Sequence, residues 1–326
     1  MASVDEVARH LAALLRGEEG QLCDPNGSDL DFFPTIEIKP LVPAAPAAEY
    51  WAVDGGQALV ADARCLQVVA TRAARTRWQR GRCTLEEEGD VHVHLLAGER
   101  GGPEAQRALA MLEAPVAAGT SVDLNLLRDW SEWRLVARCV EESGSGSFVL
   151  VDGDLQPDWR ISARWLEELL GQARERGVHL VGVTKHSSLA RGGAPLVGQL
   201  ELEASARYGP RSRWWAPVAR RRGDVGAGLL VVVARLDPDA RFAFRVDLAG
   251  DAEAERLLGQ LCALADDAAF PGYPYPLTIA DRLASCPGWL REELWAELDS
   301  ALSAAGVASE VRERAFTDRH ALMERA

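Results

Sequence analysis

Two aspartates of this 326-residue chain stand in the same local setting. The run Tyr50-Trp51-Ala52-Val53-Asp54-Gly55-Gly56 is an apolar, β-type stretch that meets one carboxylate and then two glycines. Roughly a hundred residues further on, Phe148-Val149-Leu150-Val151-Asp152-Gly153-Asp154-Leu155 repeats the pattern. Short apolar runs of this kind predict buried strands, and the carboxylate then leaves the sheet at the strand end. Glycine directly behind it lets a backbone or a ligand come close. Two hard oxygen ligands on neighbouring strands suit Mg²⁺ or Mn²⁺. Ions so held activate water and stabilise the leaving oxygen in phosphodiester cleavage. The other reading of each residue is a turn aspartate beside glycine.

Further groups fit the same chemistry. Glu132, in a stretch of helical period, offers a third carboxylate; the alternative is a solvated helix residue. Lys185 ends the run Val178-His-Leu-Val-Gly-Val183-Thr184-Lys185, where an ammonium faces a scissile phosphate or simply the solvent. Tyr273, within the proline-rich turn Pro271 to Pro276, and Asp281 sit eight residues apart; Asp281 falls early in a predicted helix, where it would also serve as a partner for the helix dipole.

Two basic clusters could grip DNA. Arg72, Arg75, Arg77, Arg80 and Arg82 surround Trp78; Arg207, Arg211, Arg213, Arg220, Arg221 and Arg222 surround Trp214 and Trp215. Arginine binds phosphate in bidentate fashion and an indole face stacks a base; solvated strands and loops are the alternative. His92 and His94 share one strand face with no third ligand near them in sequence. The six cysteines are scattered without a CxxC pair, which sets aside a thiolate metal site and a disulfide framework.

The elements that must position these groups follow from pattern. At 48% hydrophobic residues the chain can bury a large core, and no apolar run of about 18 residues predicts a membrane span. The N-terminus lacks the basic start and apolar core of a signal peptide, so a cytoplasmic location is expected. A net charge of −13 argues against binding DNA over the whole surface but leaves room for a local basic groove.

Residues 3–17 predict a helix capped by Ser3, with Val4, Val7, Leu11, Leu14 and Leu15 as its apolar stripe. Residues 18–48 read as loop. Strands at 50–54, 57–62 and 65–71 predict a three-stranded antiparallel meander, with a fourth strand at 91–96. Helices follow at 103–113 and 123–141. A strand at 148–152, a helix at 160–176 and a strand at 178–183 make a parallel βαβ unit. Strands at 214–219, 228–236 and 241–248 and helices at 251–268, about 277–285, 289–304 and 308–324 complete the chain. A meander beside parallel strands suits a ribonuclease-H-like α/β fold, a mixed sheet with flanking helices and further helices at both termini. The expected divisions are an N-terminal helix and linker at 1–47, the main domain at 48–290 and a C-terminal helical segment at 291–326.

Taken together, these pieces resemble the NurA family of nucleases. The resemblance rests on Ala52-Val53-Asp54-Gly55-Gly56, on Glu132 upstream of Val149 to Leu155, on Val181-Gly182-Val183-Thr184-Lys185-His186-Ser187, and on Gly272-Tyr273-Pro274-Tyr275-Pro276 before Ala280-Asp281-Arg282. It spans about residues 48 to 290 and implies a ribonuclease-H-like fold that forms a homodimer. It implies Mn²⁺- or Mg²⁺-dependent hydrolysis of single- and double-stranded DNA ends. A HerA-type hexameric ATPase is the implied partner, in end resection, repair or phage defence. By motif, Asp54, Glu132 and Asp152 would be metal ligands, and Lys185 and Tyr273 active-site supports. Family members commonly carry histidine where this chain has Asp281; aspartate still ligates metal but cannot act as a neutral imidazole. The alternative is a catalytically weak adaptor that binds and regulates the translocase. The absence of a glycine-rich nucleotide loop or a nucleophile elbow sets aside an unrelated small-molecule enzyme.

Overall fold

Ser3 caps helix α1 (Val4–Arg16) as expected, its hydroxyl accepting the Glu6 amide at 3.2 Å. The apolar stripe of α1 stays exposed along its length. The computed structural model describes residues 3–16, 20–25, 30–98, 102–221, 228–250 and 253–317. The expected linker is not all loop: it contributes the two-residue strands β1 (Leu22–Cys23), β2 (Asp31–Phe32) and β3 (Lys39–Pro40), each paired with a partner from the second half of the chain.

The predicted three-stranded meander is built differently. β4 (Glu49–Asp62) runs unbroken through Gly55 and Gly56, and β5 (Leu66–Gln79) pairs with it antiparallel along its whole length. The sequence expects the strand to stop at the glycines. It continues because other elements occupy the space beside them. A side chain at Gly55 would come within 2.9 Å of the Glu132 carboxylate, and one at Gly56 within 1.8 Å of the Ala284 carbonyl. Successive strand residues face opposite sides of a sheet, so the two glycines admit a helix from each side. β6 (Arg82–Glu88) and β7 (His92–Ala97) both pair with β5. Much of the first arginine cluster therefore lies within β5 itself.

Helices α2 (Pro103–Met111) and α3 (Leu124–Glu142) follow, the latter capped by Asp123, whose carboxylate accepts the Leu126 amide at 2.9 Å. β8 (Phe148–Asp152), α4 (Ala163–Arg176) and β9 (His179–Thr184) form the expected right-length crossover, with β4, β8 and β9 mutually parallel. Glycine at 177, φ +68°, ends α4 in the left-handed conformation usual for a helix stop. β10 (Ala190–Arg191), β11 (Ala194–Pro195) and α5 (Leu196–Tyr208) come next. α5 was not expected, although Leu196, Leu200 and Ala204 recur at helical spacing and are all buried. β12 (Trp214–Arg221), β13 (Leu229–Arg235) and β14 (Phe244–Ala249) match the expected strands. α6 (Ala254–Leu261), α7 (Tyr275–Ala284), α8 (Gly288–Ala304) and α9 (Ser309–Phe316) close the described chain. The last residues expected in the final helix, and Arg222, lie outside the described residues.

The main sheet runs β2-β12-β13-β14-β9-β8-β4-β5-β6, with β3 beside β12 and β7 beside β5. The central order β6-β5-β4-β8-β9 has a meander on one side of β4 and parallel strands on the other, the ribonuclease-H-like arrangement. Tyr50, Ala52, Phe148, Leu150, Val181 and Val246 face a core closed by α6 and α7. Trp51, Val53, Val149 and Leu180 face a second core under α2, α3 and α4. No described helix is long and apolar enough to cross a membrane.

Candidate metal centre

Strand register brings two of the expected carboxylates together. Val53 and Val151 are direct partners in the parallel pair β4–β8, so Asp54 and Asp152 stand side by side one residue beyond. α7 is set by its opening Tyr275-Pro276, which pre-forms the first turn, and it crosses β4 and β5 with its C-terminus against Gly56. Asp281 occupies its second half rather than its first turn, so the expected role at the helix dipole falls away. Instead it turns toward the strands: carboxylate oxygens of Asp54, Asp152 and Asp281 all lie within 4.8 Å of one another.

Lys185, just past β9, closes the group. Its ammonium donates to Asp152 Oδ2 at 2.5 Å, lies 3.6 Å from Asp281 Oδ1 and sits 5.1 Å above the Tyr273 ring. Burial works against its charge, but the hydrogen bond and charge of Asp152, with Asp281 and Asp54, outweigh it and hold the ammonium above the usual lysine range. Tyr273 is wholly buried, and its hydroxyl has no hydrogen-bond partner of good geometry among the described residues. Burial first, then the Asp152 charge, keeps that phenol protonated.

Glu132 does not join the three aspartates in one ligand set. It is 2% exposed on α3 and approaches β4 through the gap at Gly55, where Arg128 donates to its Oε2 at 3.2 Å. Burial, then the charge of Asp54, pushes its carboxyl well above the usual range. Asp54 accepts the Gly55 amide at 2.7 Å, yet burial and the Asp152 charge push it up to about 8. Carboxyls this crowded hold protons at neutral pH unless a cation replaces them. The donor set is all oxygen and all carboxylate, which fits a hard divalent ion.

The arginine clusters are placed otherwise than expected. Arg75 is buried, donates to Glu87 and Glu142, and stacks 5.0 Å from Trp51. Arg77 donates to Glu49 at 2.6 Å and also lies 5.0 Å from the Trp51 ring. Trp78 packs edge-on against Tyr275. Arg80 is exposed in the tight β5–β6 turn. Arg211 pairs with Asp239, and Arg213 with Asp237 and the Leu236 carbonyl. Trp214 is fully buried in the core beneath α5. β13, β14, β9 and β8 separate this second cluster from β4. Arg75, Arg77, Arg211 and Arg213 are thus neutralised by carboxylates that only the fold brings to them, and Trp78 and Trp214 are used for packing.

No protein-family model matches the chain, and no curated protein matches it. Solved structures do. The NurA nuclease from Sulfolobus solfataricus superposes over 93% of this chain and 95% of its own, with a TM-score of 0.57 at 16% identity. The chain has the NurA fold. A second NurA structure covers 74% of this chain at a TM-score of 0.42 and 9% identity, and the catalytic domain of human endonuclease V covers 79% at 0.40 and 15%. The NurA resemblance read from the motifs thus extends to the whole architecture.

On this NurA fold some polar residues beside the site were not singled out from sequence. Arg128 stands one helical turn before Glu132 and also reaches the Gly55 carbonyl at 3.5 Å. Asp129 accepts the Asp158 amide at 2.6 Å, and burial pushes its carboxyl up to about 6. Arg245 and Asp247 alternate with apolar residues within β14 and are both buried. Charges at i and i+2 of an otherwise apolar strand share one face, and that pattern was the available signal.

Proposed function

We propose that this chain is a metal-dependent DNA nuclease that hydrolyses phosphodiester bonds at DNA ends. One observation carries the reading: three carboxylates from three separate elements converge within 4.8 Å on a NurA fold. Asp54, Asp152 and Asp281 would hold Mn²⁺ or Mg²⁺. When bound, such an ion supplies a Lewis acid for the phosphate and a water of lowered pKa. The rest falls to the chain's own groups. Glu132, behind Asp54, is a carboxyl that would become ionised when a cation takes up the charge of the site. Lys185 is placed to meet charge building on the phosphate oxygens once the aspartates are otherwise neutralised. Tyr273 offers a buried hydroxyl donor that stays protonated, and its ring lies beneath Lys185.

The motif resemblance extends the reading to single- and double-stranded DNA ends as substrate, to a homodimer, and to a HerA-type hexameric ATPase as partner in end resection, repair or phage defence. The test uses purified protein and linear DNA. With Mn²⁺ or Mg²⁺ the wild-type chain shortens the DNA and Asp54→Ala does not. Undiminished cleavage by Asp54→Ala would overturn the assignment. Absence of Mn²⁺ binding by calorimetry, together with tight binding to the ATPase, would make the chain a non-catalytic adaptor.

A further inference from the structure

Outside the metal centre, one buried charge touches carboxylates from three separate parts of the chain. The Arg245 side chain is 3% exposed. It donates from Nε to Asp247 Oδ1 at 2.8 Å and from Nη2 to Asp247 Oδ2 at 2.9 Å. Its Nη1 lies 3.6 Å from Asp24, in the segment after α1, and its Nη2 lies 3.5 Å from Asp154. Asp154 is two residues beyond Asp152.

Stability alone does not account for this arrangement. Burying ions costs solvation, and a well-packed apolar replacement is often as stable. A planar guanidinium does fix direction, because its donors form a rigid fork. What it fixes here is the turn that leaves β8 after Asp152. Asp247 Oδ2, already held by Arg245, accepts the Leu155 amide at 3.2 Å. The Gly153 amide donates to Val183 at 3.1 Å. Gly182 makes room for that turn: a Cβ there would stand 2.6 Å from the Gly153 carbonyl. Gly153 itself has φ +136°, a conformation that favours glycine. Arg221 donates to the Gln156 side chain at 3.1 Å from the other side.

We infer that Arg245 is a positioning residue for the metal centre: through Asp247 and Asp154 it sets the backbone after Asp152 and so the direction of that carboxylate. The inference rests on reading Asp152 as a metal ligand. Asp24 brings the N-terminal segment onto the same guanidinium, so the turn, β14 and the segment after α1 meet on one side chain.

The experiment compares the full wild-type chain with Arg245→Lys, which keeps the charge and loses the fork, and with Arg245→Met. Two readouts are taken well below the unfolding temperature: amide hydrogen exchange over residues 150–157, and Mn²⁺ affinity by calorimetry. In Arg245→Lys, exchange over 153–156 is expected to quicken and Mn²⁺ affinity to fall about tenfold, the size usual for residues that orient a ligand. DNA cleavage is expected to lose kcat with little change in KM. Should Arg245→Met fail to fold, Arg245→Lys decides. Wild-type exchange, or Mn²⁺ affinity within about twofold of wild type, in Arg245→Lys overturns the inference. If the wild-type chain binds no Mn²⁺, the metal-dependent reading fails by itself and takes the metal-positioning role with it; the exchange data then decide only whether Arg245 sets the turn after Asp152, faster exchange supporting that and unchanged exchange overturning it.

Discussion

Asp54 concentrates the electrostatic problem of the site in one carboxyl. Burial and the neighbouring Asp152 push it up to about 8. A carboxyl raised in the folded state binds more protons folded than unfolded across the window from its ordinary value near 4 up to about 8. Its contribution to stability is therefore present at acid pH and lost as pH rises through that window. Asp54→Asn mimics the protonated form permanently. In chelator-treated protein its stability advantage over wild type is expected to grow from near zero at pH 4 to on the order of 3–5 kcal/mol at pH 9. Urea unfolding across that range measures it, and a constant difference would show that Asp54 is not the strained group. Mn²⁺ competes with the same proton, so its affinity for the wild type is expected to climb with pH up to about 8. Asp281 supports a second prediction at this scale. Asp281→His exchanges a hard oxygen for a borderline nitrogen, which Mn²⁺ tolerates better than Mg²⁺. The variant is expected to keep Mn²⁺-supported cleavage and to lose most of the Mg²⁺-supported rate; equal loss with both ions would argue that Asp281 does not touch the ion.

Among the elements, β4 and α7 decide whether those residues meet. Gly56 lies against the Ala284 carbonyl at the end of α7, and a Cβ there would overlap it at 1.8 Å. Gly56→Ala must move backbone rather than a flexible side chain. It is expected to cost about 1–3 kcal/mol and, by displacing the helix that carries Asp281, to reduce cleavage further than the stability loss explains. Denaturant unfolding beside a cleavage assay at low temperature separates the two; full activity in a destabilised Gly56→Ala would show that α7 is free to shift without moving Asp281. On β5, Arg75 lies between Glu87 and Glu142 under Trp51. Arg75→Met is expected to destabilise by about 1–3 kcal/mol, the carboxylates regaining some water at the surface, and to leave DNA affinity of the folded protein unchanged. A large loss of DNA affinity at full folding would restore Arg75 to the DNA-gripping role its sequence context suggests. The βαβ unit ending at Lys185 was legible because period, length and polar breaks agreed there. The end of the Asp54 strand is not legible at its glycines, because a Gly-Gly break is an ordinary stop signal. What keeps β4 running is the approach of Glu132 and Ala284, both far away in sequence. α5 is faint in the sequence because its buried side carries only Leu196, Leu200 and Ala204 among polar and small residues.

At the scale of the whole molecule, net charge and the pairing of arginines act in the same direction. The chain carries −13, and the arginines that sequence clustered around Trp78 and Trp214 are in large part turned to carboxylates of their own fold. Proteins that grip DNA mainly through phosphates release one condensed counterion for each, and the slope of log affinity against log salt is about −0.9 per phosphate contacted. A nuclease that neutralises many phosphates gives steep slopes. Under the proposed function the divalent ion and Lys185 would be the cations the site itself brings to a phosphate, so the slope is expected to be shallow, about −1 to −3. Affinity should depend more on the ion than on salt. Fluorescence anisotropy with end-labelled duplex, Asp152→Asn protein and increasing KCl, with and without Ca²⁺, measures both. A slope near −6 in chelator would reveal a basic track that the ion pairs of this fold do not account for. A shallow slope would leave the divalent ion and Lys185 as the main grip on DNA, and the isolated protein would then release its substrate often between cuts.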